Sequence, residues 1–99
     1  MLFAIHCLDD PSTPTARSDL YPQHRAFLDS PAKPIILAGP LLDADGETRI
    51  GSLLVIEAED LDDARRFAAS DPFALNKVWK TIVVHGFLKL VENRVPDAA

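Results

Sequence analysis

Ile35-Ile36-Leu37-Ala38-Gly39-Pro40-Leu41-Leu42, followed by Asp43-Ala44-Asp45-Gly46 and then Thr48 to Ala58 around a Leu53-Leu54-Val55-Ile56 centre, is the stretch that decides the fold. The Asp-Ala-Asp-Gly segment has the turn chemistry of a β-hairpin, so the two apolar runs read as antiparallel strands. Toward the N-terminus, Leu20, Phe27 and Leu28 fall at helical spacing from about Arg17 to Ser30, with Pro22 weakening the first turns and Ser30-Pro31 as the stop. Before that helix, the apolar run Leu2 to Leu8 closes on Asp9-Asp10-Pro11 and reads as a strand and turn. Toward the C-terminus, Asp60 is an N-cap, Asp62 and Asp63 are acidic first-turn residues, and Leu61, Ala64, Phe67 and Ala68 form a buried stripe ending near Ser70. Phe73 to Lys77 reads as a short helical turn, and Val78 to Val91 as the last long strand. The order βαββαβ predicts a ferredoxin-like α+β domain, an antiparallel sheet with both helices on one face. It occupies residues 1–92, with 93–99 as a polar C-terminal tail.

A sheet covered on one face should alternate apolar with polar residues. Ile35-Ile36-Leu37-Ala38, Leu53-Leu54-Val55-Ile56 and Ile82-Val83-Val84 are instead apolar throughout. Ninety-nine residues form one domain and leave no chain over for a second helical layer. A 47% hydrophobic composition therefore predicts that the open sheet face packs on a second copy, giving a homodimer built as a dimeric α/β barrel.

Composition also restricts function. Fifteen Asp plus Glu against ten Lys plus Arg, a net charge of -5, disfavours nucleic acid, and no basic patch is visible. The mean hydropathy of +0.05 and the shortness of the longest apolar run, Thr81 to Val91, argue against a membrane protein. The apolar opening lacks a basic n-region and a cleavage site, and the single cysteine suits a reducing compartment, so a cytoplasmic location is expected.

His24 lies on the apolar stripe of the first helix, four residues after Leu20. It is either a core histidine hydrogen-bonded to a backbone carbonyl or, beside a carboxylate, a general base near neutral pH. Asp71-Pro72 has the form of an N-cap followed by proline at N1, and Asp71 also projects from the face of the second helix that carries its core stripe; both roles are compatible. Arg17 is a candidate for bidentate contact with a substrate carboxylate or phenolate, against a solvated arginine at a helix start. Ser52 is a candidate hydrogen-bond donor to a substrate, against a small residue that makes room for a helix. Gly39-Pro40 within a strand suggests a bulge or an edge. Cys7 reads as a small core residue, and Asp43 to Glu47 as a hairpin turn rather than a calcium loop. His6, His24 and His85 have no spacing that selects a metal site, so no metal and no cofactor are expected.

Several of these segments together resemble the YciI-like (YCII-related) family of small dimeric α/β-barrel proteins. They are Met1-Leu2-Phe3-Ala4-Ile5 leading to acidic residues, Arg17 seven residues before His24, His24-Arg25-Ala26-Phe27-Leu28, Ala38-Gly39-Pro40-Leu41, Gly51-Ser52, and Ala68-Ala69-Ser70-Asp71-Pro72-Phe73. The resemblance covers nearly the whole chain and implies a His–Asp active-site pair falling on His24 and Asp71. One branch of the family includes a dehydrochlorinase acting on a chlorinated hydroxyquinol. The chain departs from many relatives at Leu20, where they carry a second arginine in the first helix. The expectation is a lyase or isomerase that uses His24 and Asp71 for acid–base elimination or isomerisation of a small cyclic or phenolic substrate. The alternative is a non-catalytic dimer that binds a metabolite or serves as an accessory protein, and a third reading is a cofactor-free monooxygenase.

Overall fold

Period-two alternation is clearest in β1 (Leu2–Asp9), where Phe3, Ile5 and Cys7 are buried while His6 and Leu8 are exposed. The computed structural model describes residues 1–93. In it, β1 is followed by α1 (Ala16–Asp29), β2 (Ile35–Leu42), β3 (Arg49–Glu57), α2 (Leu61–Ser70), the one-turn α3 (Pro72–Leu75) and β4 (Trp79–Phe87). The sheet is antiparallel with strand order β2-β3-β1-β4, the ferredoxin-like arrangement expected for two crossing βαβ units.

Register sets which side chains share a face. Phe3 stands opposite Ile56, Ile5 opposite Leu54 and Cys7 opposite Ser52, and this row faces the helices. With Ala64, Phe67, Ala68, Phe73, Val78 and Trp79 it makes the core. Burial of each large member contributes about 1.5–3 kcal/mol. The intervening row comprises Leu37, Leu53, Val55, Ala4, His6, Val83 and Phe87, and it looks away from the helices. Gly51 is fixed by the sheet itself, because a Cβ there would lie 2.1 Å from the Cys7 carbonyl oxygen.

Local chemistry accounts for the helix ends. Asp60 caps α2 by accepting the Asp63 amide at 2.8 Å, and Asp63 reciprocates on the Glu59 amide at 3.0 Å. The latter bond and the Lys33 ammonium at 2.8 Å hold the Asp63 carboxyl below the usual carboxylate range. α1 runs through Pro22 without breaking, since the carbonyl that loses its partner belongs to the exposed Ser18.

One sequence expectation changes, and a second resolves to one of its two alternatives. β4 ends at Phe87 rather than Val91, because its pairing with β1 finishes at Leu2–Phe87 and, among the described residues, no further strand bonds residues 88–91. β2 is an edge strand, which tolerates Pro40, but its register shifts fall at Ile35/Leu37 and Leu41/Leu42 rather than at Gly39-Pro40. Of the tail expected at 93–99, residues 94–99 lie outside the described residues. Among the described residues no helix is long and apolar enough to cross a membrane.

Candidate active site

His24 is the one buried residue of α1, as its place on the apolar stripe implies. Its Nδ1 lies 2.8 Å from Asp71 Oδ1. The same oxygen accepts the Phe73 amide at 2.8 Å, the bond an N-cap makes at the start of α3. An oxygen that accepts a backbone N–H in this way makes the facing ring nitrogen a donor, which leaves Nε2 as the basic nitrogen of the neutral ring. Nε2 has no partner among the described residues, and it is not one of the two side-chain atoms sealed without one. Those two are Asp71 Oδ2 and Trp79 Nε1. Both readings of Asp71 therefore hold at once: it caps α3 and orients His24.

Aromatic rings complete the setting. The imidazole stacks on Phe73 at 3.9 Å between centroids and 7° between planes, and meets Trp79 edge-on at 6.0 Å. The Phe73 ring also carries the Arg17 guanidinium at 4.8 Å. In the sequence Phe73 only opened a short helical turn and Trp79 only fell within the last strand, although the Asp71-Pro72-Phe73 turn necessarily places Phe73 next to the carboxylate.

Arg17 and Ser52 meet each other. Arg17 Nε and Nη2 donate to the two Asp9 carboxylate oxygens at 2.7 and 2.8 Å, and Nη2 donates to Ser52 Oγ at 2.9 Å. This buttress ties the start of α1 to the end of β1 and the middle of β3. Asp9, read from sequence only as a turn residue, is its missing member; the hint was an acid ending a strand eight residues before an arginine. Ser52 is buried and accepts from Arg17, while the residue that yields space to a neighbour is Gly51. Cys7 lies close by, and burial, reinforced by the charge of Asp71, pushes its thiol up to about 12.

A cavity of about 240 Å³ separates α1 from the β2–β3 half of the sheet, and Arg17, Tyr21, His24, Ala38, Ser52 and Leu54 are among its walls. A broader hollow of about 750 Å³ lies between the β1–α1 loop and the start of β3 and shares Arg17, Tyr21 and Arg49 with it. The larger hollow does not touch His24. Of the two spaces, only the inner cavity borders the His24 ring. His6 and His85 occupy the opposite face of the sheet from His24, so the three histidines do not form one site. Among the described residues no group of three or more His, Cys, Asp or Glu is placed to hold a metal ion.

The family model of the YCII-related domain matches residues 1–87. Among solved structures, the chain is similar to the 5-chloro-2-hydroxyhydroquinone dehydrochlorinase of Burkholderia phenoliruptrix AC1100 in complex with 2,5-dihydroxybenzoquinone. Identity is 34%, the match covers 89% of this chain and 94% of that one, and the TM-score is 0.79. No curated protein matches the sequence significantly.

Proposed function

Because this chain belongs to the YCII-related domain family, we propose that it is a small-molecule enzyme in which the His24–Asp71 pair catalyses elimination or isomerisation of a small cyclic, phenolic substrate. The observation that carries this reading is a buried imidazole held through Nδ1 by a carboxylate at 2.8 Å, with its ring bordering a cavity of about 240 Å³. An apolar cavity of about 150 Å³ accommodates benzene, so this volume suits one substituted ring. The similarity to an enzyme that acts on a chlorinated hydroxyhydroquinone points to the same substrate class.

In the proposed reaction Nε2 takes a proton from a ring hydroxyl, and Asp71 stabilises the imidazolium that results. The imidazolium returns the proton to a ring carbon, giving a keto tautomer, which completes an isomerisation. Where that carbon bears a halogen, a second deprotonation expels halide. The net change is loss of one proton and one halide ion, with no oxidant required. Arg17 acts as a buttress for the start of α1, with Ser52 as its anchor in β3.

The chain is further proposed to act as a homodimer. Leu37, Val83 and Phe87, which look away from the helices, are 53%, 43% and 44% exposed, an apolar surface that a second sheet would cover.

The test is a panel of hydroxylated and chlorinated single rings, read by chloride release and by ring-proton exchange in D2O, for wild type and His24→Ala. General acid–base catalysis by one residue is worth about 10²–10⁴-fold, and a loss of that size is expected in the variant. Equal rates for the two proteins would refute the assignment, and absence of both turnover and exchange in wild type would favour a binding protein.

A further inference from the structure

Three arginines border the inner cavity, and only two of them are neutralised. Arg17 is held by Asp9 at 2.7 Å and Arg25 by Asp29 at 3.1 Å. Arg49, at the start of β3, has no carboxylate partner among the described residues; its guanidinium lies 5.9 Å from the Tyr21 ring centroid. The inner wall includes His24 and these three arginines but no Asp or Glu. With Arg17 and Arg25 paired, Arg49 is, among the described residues, the one uncompensated positive charge on this wall, in a chain whose net charge is -5. Arg49 also borders the outer hollow, whose walls include Asp9, Asp10 and Glu47, and among the described residues it is the unpaired cation that the two spaces share.

We propose that Arg49 is the specificity-determining residue of this site, receiving an anionic oxygen of the ring substrate and so selecting small monocyclic acids over neutral rings. The proposal rests on the reading of the inner cavity as the substrate site. A guanidinium whose hydrogen-bonding groups are uncommitted can take a carboxylate or an ionised ring hydroxyl through two parallel N–H bonds, and the Tyr21 face holds it in place. The anionic oxygen at Arg49 is distinct from the hydroxyl presented to Nε2, so the substrate carries at least two oxygen functions.

The readout is the fluorescence of the sole tryptophan, Trp79, whose ring meets that of His24 edge-on, His24 being the wall residue that a bound ring would touch. The probes are 2,5-dihydroxybenzoate and its methyl ester, which share a ring and differ in charge, with 4-nitrophenol titrated through its ionisation to separate a phenolate from a carboxylate. Wild type is expected to prefer at least one anionic form over its neutral counterpart by about tenfold or more, a preference that weakens with salt. In Arg49→Gln the preference should fall to within about twofold of unity, and Arg49→Lys should retain part of it. Undiminished preference in Arg49→Gln, or equal affinity for charged and neutral rings in wild type, overturns the assignment of Arg49 alone. Failure of every probe, hydroquinone included, to bind wild type overturns the substrate-site reading and the assignment with it.

Discussion

Replacing Asp71 separates the mechanical from the electrostatic contribution of its carboxylate. Asp71→Ala removes the acceptor for the Phe73 amide and the partner of His24 Nδ1, both at 2.8 Å. Loss of an N-cap costs about 1 kcal/mol, and a buried donor left unsatisfied costs about 1–3 kcal/mol. Because the two bonds share one oxygen the terms overlap, and a destabilisation of about 2–4 kcal/mol is expected. Asp71→Asn keeps an oxygen at that position, so both bonds survive. Its amide nitrogen takes the place of Oδ2, which already has no protein partner, and stability should stay within about 1 kcal/mol of wild type. What Asn cannot supply is the negative charge that stabilises an imidazolium, so turnover should fall by about 10²-fold or more while the fold persists. Urea unfolding followed by Trp79 fluorescence gives the two stabilities. Nitrogen-detected NMR of the imidazole gives the tautomer, which should be Nδ1–H in both wild type and Asp71→Asn. If Asn destabilises the protein as much as Ala, the charge rather than the geometry anchors His24 and the reasoning fails.

Other consequences can be measured on the same protein. Lys77 has a φ of 57° at the C′ position of a Schellman motif closed by Val78 N–H to Phe73 O at 2.9 Å and Lys77 N–H to Ala74 O at 3.2 Å; Lys77→Gly should therefore stabilise by about 0.5–1 kcal/mol in urea titrations, and a loss of stability would contradict this. The Cys7 thiol, raised from 9.0 to about 12, should resist disulfide reagents at about pH 8 until the chain is unfolded. Since its folded value lies above the unfolded one, its contribution to stability is complete below about pH 9 and is lost as pH rises toward 12, which unfolding at pH 8 and 10 would reveal. Val83→Asp, placed on the sheet face away from the helices, should convert a dimer into a monomer in sedimentation; a monomeric wild type at micromolar concentration would refute the two-sided burial argument.

The fold was legible where local signals agree. The Asp43–Gly46 turn, the Asp60 cap and the apolar run of β1 closing on Asp9-Asp10-Pro11 each specify one conformation from neighbours in the chain. The end of β4 was not legible, because residues 88–91 have the composition of a strand and only the length of β1 determines how many of them find a partner. His24 could be placed on the buried stripe by counting along one helix. Its Asp71 contact spans 47 residues, and proximity across that separation came from the family resemblance rather than from spacing. Arg17 shows the opposite difficulty: its sequence position suggested a ligand contact, whereas Asp9 and Ser52, separated from it by 8 and 35 residues, already occupy its Nε and Nη2 donors. Arg49 was passed over because a lone arginine opening a strand resembles any solvated residue until the wall around it is seen to hold no acid.

The chemistry of Asp71 bears on why a carboxylate stands there at all. Capping α3 needs one acceptor, and Ser or Asn would supply it without placing a charge in a fully buried position. Orienting a neutral imidazole likewise needs one acceptor. The second oxygen, Oδ2, is sealed with no protein partner, so for the fold alone the carboxylate is a more costly solution than either neutral cap. Its distinguishing property is the stabilisation of positive charge on the ring it touches, which matters when that ring accepts a proton. A cap chosen only for stability would not carry that excess charge beside His24, and a proton-transfer pair would.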